Sequence, residues 1–302
     1  MTNTAENLQK LPQIRGVYKF SEPLKNYTWL NVGGPADIMF FPKDTDDLKY
    51  FLQNKSAETE VFVLGGGANL LVRDGGIKGV VIKLSDESFR QIKIEDDKII
   101  CGAGLLNNVL KKTVEKEGLG GLEFLCSIPG CLGGALRSNA GCFGREMSDV
   151  LLWAEAVDGE GNLLKVQNKD FHFAYRHSEF PKDWIITELC LRFEKKTSEE
   201  VSALINEQAE YRKTHQPQGI RTAGSTFKNP PQMRAWELIK NSGADKLKIG
   251  GAQMSPQHCN FLQNDGTASA ADIEDLCDGI IRMVKDKYGV ELEMEVNKVG
   301  RR

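Results

Sequence analysis

Nowhere does the sequence hold an apolar run long enough to cross a bilayer, so no membrane partner is expected. Its polar lead, Met1–Lys10, has neither an apolar h-region nor a small-residue cleavage site, and no secretory signal is expected there. A C-x-x-C pair is absent as well. The seven cysteines (Cys101, Cys126, Cys131, Cys142, Cys190, Cys259 and Cys277) are odd in number and scattered, the pattern of a thiol-reduced, cytoplasmic protein. His172, His177, His215 and His258 show no metal-ligand spacing, and no metal site is expected. Basic clusters are missing too. With a net charge of -3, and with Lys111-Lys112 and Lys195-Lys196 set beside acidic residues, the chain lacks the electrostatic footprint of a nucleic-acid binder. No internal repeat or low-complexity tract is present.

What the chain does have is the composition of an ordinary globular protein, 40% hydrophobic and 27% charged over 302 residues. That length exceeds what one core usually organises and suits lobes with a ligand cleft between them. Leu48, Phe51 and Leu52 space as one face of a short helix over Asp46–Gln53. Val61–Leu64 reads as a buried strand and Val80–Leu84 as a second, while Ile92–Ile94 pairs with Ile99–Cys101 across Asp96-Asp97. Leu106, Val109, Leu110, Thr113 and Val114 predict a helix over Leu105–Lys116 that stops at Gly118. From Gly118 to Gly144, eight glycines and one proline in 27 positions argue against regular helix or strand interiors. Strands flank the turn Asp158–Asn162, and another runs from Trp184 to Phe193. An amphipathic helix, Glu199–Thr214, bridges to a second domain, with the boundary near Lys195–Ser198. That domain opens with a loop, Gly219–Pro231. It later carries a long helix with Ile273, Leu276, Ile280, Ile281 and Val284 on one face, whose Ser269-x-x-Asp272 start has the form of a capping box.

The strand at Val61 runs straight into Leu64-Gly65-Gly66-Gly67-Ala68-Asn69-Leu70. Three consecutive residues without Cβ let successive N–H groups converge on an anion and let a ligand approach the main chain closely. A dinucleotide turn would need G-x-G-x-x-G opening a helix, but the third glycine position is Leu70, and Arg73-Asp74-Gly75-Gly76 interrupts any long helix. Taken alone, the loop suits a ligand-free strand-ending turn equally well. A second glycine loop in the same lobe, Ile128-Pro129-Gly130-Cys131-Leu132-Gly133-Gly134-Ala135-Leu136-Arg137-Ser138-Asn139-Ala140-Gly141, favours a pair of loops enclosing an extended cofactor.

These loops, with Asn26–Ala36, Tyr175-Arg176-His177-Ser178, Ala223-Gly224-Ser225-Thr226-Phe227-Lys228-Asn229-Pro230 and Ser255-x-x-His258-x-Asn260-Phe261, resemble the UDP-N-acetylmuramate dehydrogenase family along nearly the whole chain. The short passage from Arg176 to Trp184 is similar to the family's shorter class, which lacks an extra substrate-clamping insertion. The resemblance implies an α+β fold: a vanillyl-alcohol-oxidase-type FAD-binding region over 1–195, in two lobes of roughly 1–95 and 96–195, then a C-terminal α+β substrate domain over 196–302. It implies bound FAD, NADPH as co-substrate and a UDP-sugar whose enolpyruvyl ether is reduced to a lactyl ether in peptidoglycan precursor synthesis.

Hydride addition to an enolpyruvyl methylene carbon pushes negative charge onto the neighbouring carbon and its carboxylate, so a fixed cation and a proton donor are needed there. By resemblance Arg176 is that cation, Ser225 the proton donor and Glu295 the acid near the C-terminus that aids protonation or steadies the intermediate. Tyr175, Lys228 and Asn229 are implied substrate ligands. Gly65, Gly66, Gly67, Ala68, Asn69 and Leu70 are implied cofactor residues, with Ile128, Pro129, Gly130, Gly133, Gly134, Asn139 and Ala140 from the second loop. Two positions depart from the family pattern: Ala68 stands where many relatives have serine, and Met294 where proline commonly precedes the glutamate. Glu291 and Glu293 compete with Glu295 for its register, because strand alternation would set all three on one face. Cys126 and Cys131, near the flavin loop, read as small buried thiols. A flavoenzyme of this fold acting on another substrate, or a silent nucleotide-sugar binder, are the rival readings.

Overall fold

The computed structural model describes residues 11–231 and 233–302, and the polar lead Met1–Lys10 lies outside the described residues. In chain order the main elements begin with strands β1 (Val17–Pro23) and β2 (Pro35–Phe41), helix α1 (Thr45–Asn54), and strands β3 (Val61–Val63), β4 (Leu70–Val72), β5 (Ile77–Ile82), β6 (Ile92–Glu95) and β7 (Lys98–Gly102). Helices α2 (Asn107–Glu117), α3 (Glu123–Cys126) and α4 (Leu132–Arg137) follow, then strands β8 (Leu151–Val157), β9 (Leu163–Gln167) and β10 (Ile185–Arg192). After helices α5 (Ser198–His215) and α6 (Ala235–Ser242) come strands β11 (Lys248–Ile249), β12 (Ala252–Met254) and β13 (Leu262–Asn264), helix α7 (Ala270–Tyr288) and strand β14 (Asn297–Val299).

These elements form two compact units. The first takes in the chain up to Phe20, Ile38–Gly66 and Gly79–Gln208; the second takes in Ser21–Asp37, Gly67–Lys78 and Ala209–Arg302. Two stretches numbered within the first 195 residues, 21–37 and 67–78, therefore pack with the C-terminal residues.

In the first unit a sheet of order β1-β2-β5-β3 lies under helix α1, and an antiparallel sheet of order β9-β8-β10-β7-β6 forms the other lobe. Helix α1 starts where Asp44 accepts the Asp47 N–H at 2.9 Å, and it buries Leu48, Phe51 and Leu52 as their spacing predicts. Strands β6 and β7 pair antiparallel with Ile92 opposite Cys101 and Ile94 opposite Ile99. Helix α2 ends on Gly118 in the left-handed conformation. Phe40, Phe51, Phe89, Phe124 and Phe171 are wholly buried in this unit's core.

The glycine-rich stretch departs from expectation, because it contains short helices and α4 carries Gly133 and Gly134 in its interior. Close packing is the reason at Gly133. A Cβ there would sit 3.1 Å from the Ala103 Cβ, tighter than ordinary contact, so a residue without a side chain lets the helix lie close on β7's continuation.

In the second unit β4 pairs in parallel with β14, Leu70 opposite Asn297 and Val72 opposite Val299. A small sheet of order β11-β12-β13 and helices α6 and α7 complete it. Helix α7 opens on the expected capping box, Ser269 Oγ accepting from Asp272 N at 3.0 Å and Asp272 from Ser269 N at 2.8 Å. Asp74 adds two further caps, accepting the N–H groups of Ala270 at 3.0 Å and Ala271 at 2.9 Å. One turn on, buried Glu274 takes Arg73 Nε at 2.8 Å and Nη2 at 3.1 Å, with Lys298 and Arg302 within 3.7 Å. The core of this unit joins Leu30, Val32 and Leu71 to Phe227, Ile273, Leu276 and Ile280.

Candidate functional site

The two glycine loops meet in the first unit through their main chains. A Cβ on Gly66 would lie 2.5 Å from the Gly130 Cα and 2.8 Å from its carbonyl carbon, and one on Gly65 would lie 3.0 Å from Cys131 Sγ. Only glycine permits this approach. Behind each loop a polar side chain holds carbonyl groups: Lys83 Nζ donates to the Gly65 carbonyl at 2.8 Å, and the buried Asn107 uses Nδ2 on Ile128 O at 3.0 Å and its N–H on Gly130 O at 3.1 Å. Among the described residues the N–H groups of Gly65, Gly66, Gly130 and Cys131 donate to no protein acceptor. Carbonyls held away and N–H groups left over are what a diphosphate requires, so this cradle fits the phosphates of a dinucleotide. Lys83 and Asn107 carry no signature that sequence reasoning would have flagged, and the contacts alone reveal them.

Burial presses the Cys126 thiol up to about 12 and the Cys101 thiol likewise to about 12, so both are inert packing groups. Cys131 is buried in the cradle itself.

The second loop also holds the hairpin that carries Arg176. Ala174 and His177 exchange both backbone hydrogen bonds at 3.0 Å, which makes Tyr175 and Arg176 the tip of a two-residue turn. Arg176 adopts φ of 54°, a conformation uncommon outside glycine and asparagine. Wholly buried Asn139 secures the turn, donating Nδ2 to Ala174 O at 3.0 Å while its Oδ1 accepts Ser148 N at 3.0 Å. Arg176 Nη2 donates to Gly141 O at 2.8 Å, and its guanidinium lies 4.8 Å from the exposed Tyr175 ring. Asn139 thus spends its side chain on the hairpin, and only its backbone remains for a cofactor. Ser178 donates to Arg137 O at 2.8 Å, and Arg137 in turn holds Pro181 and Trp184 carbonyls, its pKa lowered by burial.

In the second unit the segment around Ser225 is gripped by Asn260. This buried amide accepts Phe227 N–H at 3.0 Å and donates to Phe227 O at 2.9 Å, while its own carbonyl takes Thr226 N–H at 2.7 Å. Thr226 Oγ1 accepts Leu262 N–H at 3.0 Å. Ser225 itself bridges to Phe261 and is half-buried, and its hydroxyl bonds to no protein group among the described residues. His258 accepts the Asn260 N–H on Nδ1 at 3.2 Å, and burial lowers its pKa. Asn260 was visible in sequence only as one letter of a motif.

The three glutamates do not share a strand face, because 291–296 is not a regular strand. Glu291 pairs with Lys285 at 2.7 Å and Glu293 with Lys228 at 2.5 Å, both in the open, whereas Glu295 is half-buried. The main chain of Glu295 is tied to the serine loop, its N–H donating to Thr226 O at 2.8 Å. Asn69 joins it, donating Nδ2 to Glu295 O at 3.1 Å. Gly67 O accepts Trp29 N–H at 3.0 Å, and Ala68 and Leu70 are half-buried beside them. Asn229 Oδ1 accepts Ala235 N–H at 3.0 Å and so starts α6. The structure brings Ser225, Glu295, Lys228 and Asn69 together in the second unit, whereas Arg176 and Tyr175, tied to Gly141 and Asn139, and the Gly66–Gly130 contact belong to the first.

Two family models match the chain. A family model described as FAD binding domain matches residues 36–167, and one described as UDP-N-acetylenolpyruvoylglucosamine reductase, C-terminal domain, matches 216–299. The chain is similar to the UDP-N-acetylenolpyruvoylglucosamine reductase of Maricaulis maris, 42% identical over 300 residues that cover 97% of this chain and 95% of that one. The reductase of the same name from Paramagnetospirillum magneticum is 44% identical over 290 residues, covering 96% and 94%. Among solved structures, UDP-N-acetylenolpyruvylglucosamine reductase (MurB) from Thermus caldophilus matches with a TM-score of 0.81 at 34% identity, covering 95% of this chain and 99% of that one.

Proposed function

Because the chain belongs to the UDP-N-acetylenolpyruvoylglucosamine reductase family, we propose which of its own residues carry out that family's reaction. It is an FAD-dependent oxidoreductase that reduces UDP-N-acetyl-3-O-(1-carboxyvinyl)-glucosamine to UDP-N-acetylmuramate with NADPH, a step of peptidoglycan precursor synthesis. The FAD-binding region is of the vanillyl-alcohol-oxidase type. We assign cofactor binding to residues 1–195 and substrate binding to 196–302.

The chemistry that bound FAD supplies is hydride transfer, from NADPH to the enolpyruvyl methylene carbon. The observation that carries the cofactor site is the packing of Gly66 on Gly130, with four unpaired N–H groups at the contact. The main-chain N–H groups of Gly65, Gly66, Gly130 and Cys131 hold the diphosphate, so Ala68 in place of serine loses one hydroxyl and none of these donors. Arg176 takes the substrate carboxylate, and its guanidinium stays charged at any working pH. Ser225 gives its proton to the carbon beside that carboxylate. A hydroxyl is a weak acid, so the transfer needs a strongly basic acceptor and a hydroxyl held in line; the Asn260 grip on Thr226 and Phe227 holds the main chain that carries it. Glu295, tied to the same loop, steadies the charge during protonation. Lys228 exchanges Glu293 for the diphosphate of the UDP-sugar, with Tyr175 and Asn229 as further ligands. We propose a cytoplasmic location for the enzyme.

An anaerobic titration tests the assignment. Purified protein should be yellow, bleach with NADPH and recover its flavin absorbance when the enolpyruvyl substrate is added. A flavin that stays bleached points to another substrate, and a colourless protein unable to take up FAD removes the cofactor site.

A further inference from the structure

Asn107, the first residue of α2, is wholly buried with its amide half used: Nδ2 donates to Ile128 O at 3.0 Å, whereas Oδ1 accepts from no donor among the described residues. A buried acceptor without a partner costs stability, and an apolar side chain of the same shape avoids that cost. Packing alone gives no reason for an amide here. What this residue does is grip the second glycine loop at two carbonyls, Ile128 O with its side chain and Gly130 O with its N–H at 3.1 Å. Across a trans peptide the carbonyl of one residue and the N–H of the next point opposite ways, so turning Gly130 O toward Asn107 turns the Cys131 N–H away from it. That is the side of Gly66, where a Cβ would lie 3.0 Å from the Cys131 nitrogen. The Ile128 grip acts on the peptide before. Pro129 has its φ fixed by the ring, so holding the Ile128 carbonyl leaves the Pro129 ψ as the main rotation that sets the Gly130 N–H. Gly130 itself, at φ of 117°, is in a region that glycine enters freely, and without a hold on both sides it would let that peptide swing.

We propose that Asn107 is a positioning residue for the flavin cofactor: its two-point grip on the Ile128 and Gly130 carbonyls fixes the Pro129–Gly130 peptide and turns the Gly130 and Cys131 N–H groups to the FAD diphosphate. The proposal rests on the cradle assignment made above. It acts through the loop, and Asn107 itself does not touch the cofactor.

The test compares wild type with Asn107→Leu, which keeps the branched shape and the main-chain hold on Gly130 O and removes the side-chain hold on Ile128 O. FAD affinity of the apoprotein is read by quenching of free-FAD fluorescence. At saturating FAD, phosphorus NMR then reports on the bound diphosphate and visible absorbance on the flavin ring. N107L should weaken FAD binding by about tenfold and shift the phosphorus resonances of bound FAD, while the flavin absorbance bands stay where they are in wild type. A residue that only fills the core would not single out the diphosphate. The proposal is overturned if N107L binds FAD as tightly as wild type, if the phosphorus resonances do not move, or if the flavin bands shift along with them. Thermal unfolding of the apoprotein checks the fold. Where N107L lowers the midpoint by more than about 5 °C, Asn107→Ala is read in its place by the same criteria, and if both variants do so Asn107 is a structural residue and the proposal falls. A wild-type protein that takes up no FAD at all would instead remove the cradle assignment itself.

Discussion

Asn260 fixes the main chain immediately after Ser225, because one buried amide reads both the N–H and the carbonyl of Phe227 and its backbone holds Thr226. Replacing Ser225 with alanine should therefore leave NADPH reduction of the flavin intact and slow its reoxidation by substrate about 10²- to 10⁴-fold, as single-turnover absorbance would record. Asn260→Ala should act on the same half-reaction through disorder of the loop. It should also cost about 3 kcal/mol in denaturant unfolding, since two buried peptide groups lose their partner. At this scale the motifs single out Arg176 and Ser225 as candidates, and the half-reaction measurements decide their roles. The sequence did not separate the glutamates: Glu291, Glu293 and Glu295 look alike in the chain, whereas the structure exposes Glu291 and Glu293 and half-buries Glu295.

Elements were legible wherever local chemistry decides them. Helix α1 and its apolar face, the β6–β7 hairpin and the capping box of α7 each depend on residues a few positions apart. The short helices among the glycines were not legible, since Gly133 is tolerated by a close neighbour that lies far away in sequence. Gly66→Ala probes the cradle as an element: a Cβ 2.5 Å from Gly130 must push the loops apart. Flavin content of the purified protein should fall by roughly tenfold or more, a loss near 1.4 kcal/mol of binding. Helix α7 supplies a pH prediction. Burial alone would raise the Glu274 pKa, but the hydrogen bonds and charge of Arg73, with Lys298 and Arg302, outweigh it and leave the carboxyl below its usual value. A depressed folded pKa means stability present above about pH 4.3, the unfolded value, and lost as pH falls through the folded one. Glu274→Gln should be less stable at neutral pH by about 1–3 kcal/mol, and its unfolding midpoint should change less between pH 5 and pH 3 than that of wild type.

For the molecule as a whole, cofactor binding and stability are linked. Adding FAD to apoprotein at 100 times its dissociation constant should stabilise the folded state by about 2.7 kcal/mol, read as a rise in thermal midpoint; G66A should show a smaller rise at the same FAD concentration. What the sequence could not show is which distant segments join: neither the second unit's early stretches, 21–37 and 67–78, nor the pairing of Leu70–Val72 with Asn297–Val299 leaves any local trace. That pairing bears on how the protein is made. Strand β4 leaves the ribosome some 230 residues before β14 exists, and at roughly 5–20 residues per second it waits about 10–50 seconds for its partner. Throughout that interval Leu71 and the edge of β4 are uncovered on a nascent chain, so the second unit can form only after synthesis of β14, and its vulnerability to aggregation or proteolysis should depend on translation speed.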